Sequence, residues 1–338
     1  MDRRQKALAF LDQEGRGLEI GPSYNPLVSK ASGARIETVD HTDRETLVAK
    51  YTAWGLPGDK IDAIESVDHI WDGGSLLDVI PDHGGYDYII ASHFLEHTVD
   101  LVSFLNNCEA LLNDGGRLSL VLPDKRYCFD RFQPLSTVGG VVDAFYSANK
   151  FHTPGVLLDH QAYACQLDDQ IAWSAAATGS LGAQFPQLEQ AADVIKTALA
   201  QEEYHDVHHW KFTPASFDLL ARDLATVGLH GFGPAGSFPT DGFEFFVTLA
   251  KGAEWPAGER ITQLSLIVEQ LSEPVLGAMT EGEAAANAAL TAENAALHVG
   301  IEGLRAEVRA LHASTSWRIT APIRALSDLV RKLRRNGS

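Results

Sequence analysis

Over its first 250 residues the chain alternates short apolar runs, each bounded by turn residues, with stretches of helical periodicity. That alternation is the tightest constraint in the sequence, because strands separated by helices pair in parallel and need cover on both faces. The spacing predicts strands at 17–21, 35–40, 66–71, 86–92 and 116–122, with helices at 44–54, 75–81 and 99–112. After the fifth strand the rhythm breaks. Residues 125–205 carry aromatic and histidine-rich stretches without strand alternation and are too long for an ordinary connection, so a helical insertion or lid is expected there. Regular structure resumes at "TPASFDLLARDLATVGL" (213–229), where Thr213 is placed to cap a helix that starts at Pro214. Strands near 230–238 and at 243–251 follow closely enough to form a hairpin, which adds an antiparallel strand to the end of the sheet. The fold class expected is α/β, with a Rossmann-like seven-stranded sheet, over residues 1–251.

A chain of 338 residues with 45% hydrophobic side chains buries one sizeable core and has room for a second element. Its net charge of −18 argues against nucleic acid as a partner, since phosphate contacts need a dense basic face. Cys108, Cys128 and Cys165 show no CxxC spacing, so neither a disulfide framework nor a zinc knuckle is expected. No window approaches the ~20 apolar residues of a membrane span, and the charged start lacks the apolar run of a signal peptide. The body is therefore expected in the cytoplasm.

Beyond a Pro/Gly linker at 252–260 the composition shifts to Ala, Glu, Leu and Asn, and residues 261–313 read as a helical coiled-coil region. Leu290, Leu297, Leu304 and Leu311 recur every seven residues, with Asn287, Asn294, Ile301 and Val308 three residues before each. These are d and a positions, and asparagine at a favours a two-stranded, in-register pair, so a homodimer is expected. Gly300 and Gly303 weaken the helix and leave room for the alternative of one amphipathic helix folded onto the body. Residues 314–338 are a basic amphipathic tail. From Trp317 onward the net charge is +5 against −23 for the remainder. Such a segment suits the face of an anionic inner membrane or, nearly as well, a protein partner.

The chemistry-bearing residues lie at the strand ends. "GLEIGPSYNP" turns through Glu19, Gly21, Pro22 and Asn25 with one glycine where backbone meets a ligand, but without the G-x-G-x-x-G that seats a pyrophosphate. Asp40, nineteen residues after Gly21, closes the next strand where an acid accepts both hydroxyls of a ribose. Asp72 and Gly73 follow the third strand, and Ser92 and His93 end the fourth. Singly, Gly21 also suits an ordinary turn and Asp40 a helix cap; together these residues describe a nucleoside cleft at the switch point of the sheet.

The series "LEIGPSYNP", "TVDHTD", "WDGGSL", "DYIIASHFLEHTVD" and "LLNDGGRLSLVLPDKRYCFD" resembles class I S-adenosylmethionine-dependent methyltransferases, specifically bacterial proteins associated with cell-surface polysaccharide synthesis. The resemblance spans roughly residues 15–250. It implies S-adenosylmethionine as cofactor, Glu19 and Gly21 in the first-strand motif, Asp40 on the ribose, Asp72 beside the adenine, and Ser92 and His93 beneath the methionine moiety. Pro22 departs from it, since many members carry a small residue there. It further implies conserved roles for a D-V-H before the late helix and a D-H in the insertion, matching Asp206, His208 and His160.

For a hydroxyl acceptor the enzyme aligns the acceptor and removes a proton. His208 is the candidate base, oriented by Asp206 or Asp159, with His160 beside it. A metal held by His205, Asp206, His208 and His209 is the weaker alternative, because adjacent histidines are a loose ligand pattern, and no metal is adopted. Lys125 and Arg126 are candidates to dock an acceptor's phosphate or carboxylate. The tail's "STSWRITAPIR" resembles the endings of bacterial surface-glycan proteins. The expected function is therefore O-methylation of a saccharide or glycan intermediate by a dimer peripheral at the inner membrane, near glycan-assembly proteins. Methylation of a small metabolite or amino sugar, and an inactive scaffold, are the alternatives.

Overall fold

The computed structural model describes residues 1–201 and 204–272. The heptads at 287–311 and the tail at 314–338 lie outside these residues. The chain enters through α1 (Arg3–Leu8) and β1 (Gly17–Ile20), and continues through β2 (Ile36–Asp40), α2 (Arg44–Ala53), α3 (Gly58–Asp62), β3 (His69–Ile70), α4 (Leu76–Val79) and β4 (Tyr86–Ser92). Next come α5 (Leu101–Leu111), β5 (Leu112–Pro123), α6 (Val138–Ser147), α7 (Pro154–Tyr163), β6 (Cys165–Leu167), β7 (Leu181–Ala183) and α8 (Ala191–Gln201). It closes with α9 (Pro214–Thr226), β8 (Phe232–Asp241), β9 (Glu244–Lys251) and α10 (Arg260–Leu271).

Seven strands form one sheet in the order β3-β2-β1-β4-β5-β9-β8. β1 to β5 run parallel, and β9 is antiparallel to both β5 and β8, as the late hairpin requires. The polarity of the order reverses between β1 and β4, which opens the crevice at the strands' carboxyl ends. The main core sits on one face, where Leu18, Ile20, Ile89 and Leu120 pack with Val102, Leu105, Phe217 and Leu220. On the other face α1 lays Ala7 and Leu8 against Ile90, Val121 and Phe246. A capping box between Asp2 and Gln5 starts α1, and Thr213 with Ser216 forms another at α9, where Pro214 is the first helical residue.

β3 is shorter than the expected 66–71: ahead of it Asp68 N donates to Thr38 O at 3.0 Å, but the other bonds run through side chains, Thr38 N to Asp68 Oδ2 at 2.8 Å and Thr38 Oγ1 to Ser66 O at 2.6 Å. The insertion between β5 and α9 is not purely helical. Beside α6, α7 and α8 it holds an antiparallel ribbon, with Gln166 opposite Gly182. The ribbon's Cys165 and Leu167 are buried with Tyr127 and Trp173 in a small core of their own. α10, within the span expected to be coiled coil, packs on the domain: Arg260 Nη2 meets Asp223 Oδ2 at 2.6 Å and Ala215 N donates to Gln270 Oε1 at 3.1 Å. Among the described residues no helix is long and apolar enough to cross a membrane.

At the amino edge of the sheet, opposite the crevice, Glu37 accepts from Arg16 Nη2 at 2.6 Å, pairs with His69 Nε2 at 2.9 Å and accepts from Tyr86 Oη at 2.8 Å. Burial alone would raise its pKa, but these partners outweigh it and hold it down at about 2. A depressed carboxyl contributes stability that is complete above pH ~4.5 and is lost as pH falls through the folded value. Glu37→Gln is therefore expected to lower stability by about 1–2 kcal/mol at pH 7, after allowance for partial solvent screening, and by progressively less toward acid pH. Urea unfolding of both proteins from pH 7 down to about pH 2 measures this, and a difference that grows on acidification contradicts it.

Candidate active site

The carboxyl ends of β1, β2 and β4 are tied together by backbone and carboxylates. Gly21 N donates to Val39 O at 2.8 Å, and Gly21 takes φ +66°, a conformation that glycine adopts without strain. A Cβ there would also lie 2.9 Å from the Phe94 ring, so the turn has no room for a side chain. Beneath it Glu19 is buried, and its carboxylate accepts from Leu27 N at 2.7 Å and Val28 N at 3.1 Å. Burial pushes its pKa up to about 7 against the pull of those two amides. Glu19 thus shapes the loop from below. Pro22 is buried, whereas Asn25 is exposed and lies 3.4 Å from Lys60 Nζ.

Asp40 Oδ2 accepts from Ser23 N at 3.0 Å and Oδ1 accepts from His41 N at 2.8 Å, so the second strand's acid also fixes the first strand's loop. Asp72 and Gly73 are exposed beyond β3, with Gly73 at φ +130°. Trp71 leans on Phe94, ring centroids 5.6 Å apart, which brings that loop to the turn at Gly21. One buried carboxyl group at the end of β2, a glycine turn with no pyrophosphate seat and an open Asp72–Gly73 loop fit a nucleoside without a diphosphate.

Ser92 and His93 are already engaged by groups that sequence reading missed. The β5–β9 register sets Glu244 opposite Pro123, and Glu244 Oε2 lies 2.8 Å from His93 Nε2. Arg3 Nε donates to Glu244 Oε1 at 2.8 Å while Arg3 Nη2 donates to Ser92 Oγ at 2.8 Å. Burial works against a charged ring, but Glu244 and Glu96 prevail and lift His93 to about 9, so it is an imidazolium near neutral pH.

The turn after β4 carries Glu96 and His97, and the strand-like stretch before α9 lies alongside it, with His209 N and Trp210 N donating to Glu96 O at 2.7 and 3.1 Å. This brings His208 against His97, ring centroids 4.6 Å apart and edge to face. The partner of His208 Nδ1 is Asp130 Oδ2, not Asp206 or Asp159. Asp206 is mostly exposed and pairs instead with His97 Nδ1, at 2.9 Å. Asp206 and His208 thus engage different partners, His97 and Asp130, although only one residue separates them. Asp130 is itself held by Gln133 Nε2 at 2.8 Å and stays ionised, because His208 outweighs the effect of burial.

His160 joins the edge of this cluster through Phe129, whose ring lies 5.6 Å from His160 and 4.5 Å from His208. Burial pushes His160 down to about 4. His209 diverges from His208 and stacks on Trp210 at 4.0 Å, so the four-residue metal set 205–209 is not brought together. Lys125 and Arg126 are likewise not offered to an acceptor: both are buried, Lys125 Nζ donates to Arg131 O at 2.7 Å and Arg126 Nη2 to Asp124 Oδ2 at 2.6 Å.

The seven-stranded sheet, with its crevice at the switch point and an antiparallel strand at its end, is the architecture of class I S-adenosylmethionine-dependent methyltransferases. A family model described as a methyltransferase domain matches residues 1–177, and the chain belongs to that family. S-Adenosylmethionine is its cofactor. No curated protein matches the chain. Among solved structures, the CcbJ methyltransferase from Streptomyces caelestis is 11% identical, with 74% of this chain and 97% of that one covered at a TM-score of 0.39. An S-adenosylmethionine-dependent methyltransferase from Mesorhizobium loti is 12% identical over 72% of this chain and 95% of its own, with a TM-score of 0.35.

Proposed function

We propose that the enzyme methylates a hydroxyl group of a saccharide intermediate in surface-glycan assembly. The observation that carries the hydroxyl is the buried His208–Asp130 dyad beside Glu96 at the carboxyl end of β4, where a base is needed for an alcohol and superfluous for a free amine. Bound S-adenosylmethionine supplies an electrophilic methyl group. Asp40 takes the ribose hydroxyls, Gly21, Pro22 and Asn25 form the turn around the nucleoside, and Asp72 with Gly73 borders the adenine. Ser92 and His93, braced by Arg3 and Glu244, lie under the methionine moiety.

Asp130 accepts the Nδ1 proton of His208 and so keeps the lone pair on Nε2, which receives the acceptor's hydroxyl proton. Asp206 holds His97 in place, and His160, kept neutral by burial, fills the acceptor side. The saccharide rests on the resemblance to surface-polysaccharide proteins, and the tail at 314–338 and the heptads at 287–311 support a dimer held at the inner membrane. Labelled methyl transfer to a panel of nucleotide-linked and lipid-linked sugars tests the assignment. Label is expected in an O-methyl sugar; label confined to amine-bearing acceptors overturns it.

A further inference from the structure

Glu96, His97 and His208 converge at the carboxyl end of β4 in a way that a base and its orienting acid do not require. Each offers a ligand atom, and these atoms lie within 4.8 Å of one another. His97 Nε2 and His208 Nε2 both stand 4.0 Å from the same oxygen, Glu96 Oε1. We propose that these three residues form a divalent-cation site, two imidazole nitrogens and one carboxylate, that holds an oxygen of the acceptor.

Two independent features support a cation over a plain ion-pair network. First, Glu96 is fully buried, yet neither of its carboxylate oxygens receives a hydrogen bond. His93 Nδ1, 3.4 Å from Oε1, is an ionic neighbour without the alignment of a donor. The imidazolium of His93 offsets part of the charge, but both oxygens keep unused acceptor capacity in a buried site, which coordination would satisfy. Second, the nitrogens facing away from Glu96 are both backed by carboxylates. Asp130 takes His208 Nδ1 and Asp206 lies 2.9 Å from His97 Nδ1. The hydrogen bond from Asp130 fixes the His208 tautomer that leaves Nε2 as a lone pair, as metal-ligating histidines are held, while Asp206 stands behind His97 as an ionic neighbour without the alignment of an acceptor.

The ligand set selects the metal class. Two imidazoles and one carboxylate suit zinc, cobalt, manganese or iron(II) more than magnesium or calcium, which prefer all-oxygen shells. Three protein ligands leave positions open for acceptor oxygens, as in catalytic sites. Ligands bonded at ~2.0–2.2 Å sit closer together than 4.0 Å, so the three side chains draw in on the ion by a fraction of an ångström to about one. The base role given to His208 above belongs to the cation-free site; with a cation bound, Nε2 is a ligand and the hydroxyl loses its proton by coordination. The O–H electron pair stays on the metal-held oxygen and the proton passes to water. The coordination does not depend on the acceptor; its use on a hydroxyl rests on the function proposed above.

The test is titration of Co²⁺ alone into chelator-treated full-length protein, followed by visible absorption and equilibrium dialysis, with S-adenosylmethionine affinity measured in parallel by calorimetry. Wild type is expected to take up one Co²⁺ per chain with ligand-field bands. His97→Gln, at a partly exposed side chain, is expected to weaken uptake by more than ~100-fold, and Asp130→Asn by ~10–100-fold, with cofactor affinity retained. Glu96→Gln should abolish uptake; if that variant fails to fold, His97→Gln decides. Wild type that takes up no Co²⁺ up to ~1 mM, or His97→Gln that binds it as wild type does, overturns the site. Either result leaves methyl transfer standing, whereas loss of cofactor binding in wild type would remove the function and not the metal.

Discussion

His208→Ala is expected to bind S-adenosylmethionine with wild-type affinity and to transfer methyl ~10²–10⁴-fold more slowly, the range contributed by a positioned base. The loss is expected whichever way the cluster works, because Nε2 either receives the proton or holds the ion. The informative comparison is between the two aspartates. Asp130 is buried against Nδ1, and an asparagine there can present its amide NH₂ to that nitrogen, which stabilises the wrong tautomer and leaves the proton on Nε2. Asp130→Asn should therefore approach the loss seen in His208→Ala. Asp206→Asn, at an exposed side chain one residue-pair away from His208, should lose no more than ~10-fold. Single-turnover methyl transfer measures all three. Equal losses in the two aspartate variants would return the orienting role to Asp206.

What the sequence made legible was whatever repeats locally. Strand alternation and the Thr213–Pro214 start of α9 follow from near neighbours, and the structure has both. That the candidate residues would gather at one edge was legible for the same reason, since a parallel sheet sends every strand end there. Asp130 was not, because its contact with His208 spans 78 residues and the loop that carries it has no period. Glu96 lay in view within "SHFLEH", but the sequence reading took only Ser92 and His93 from that stretch as site residues. The adjacent acid and histidine after a strand end were the available signal. Arg3 was hidden further still: α1 is only six residues long, and its capping box from Asp2 to Gln5 is the one local mark of a helix that reaches Ser92 and Glu244. The ribbon of β6 and β7 escaped because three-residue strands are too short for alternation to register.

Asp40→Ala is expected to lower affinity for S-adenosylhomocysteine by ~10²–10⁴-fold, the equivalent of two charge-assisted hydrogen bonds at ~1.5–3 kcal/mol each. The structure adds a second consequence. Because Asp40 also accepts from Ser23 N and His41 N, its removal leaves those amides without their acceptor and loosens the loop that Glu19 holds from below. Stability should fall by ~1–3 kcal/mol as well, so binding must be read on protein shown by thermal unfolding to be folded. Asp40→Asn separates the two effects, since one amide oxygen still accepts from the loop while the charge that favours the ribose hydroxyls is gone. One of the two backbone amides then faces the NH₂ group, so its stability should lie between wild type and Asp40→Ala, and its affinity near Asp40→Ala. A folded Asp40→Asn that binds the nucleoside normally would place the ribose elsewhere along the crevice, with the exposed Asp72 as the remaining acid of the predicted set.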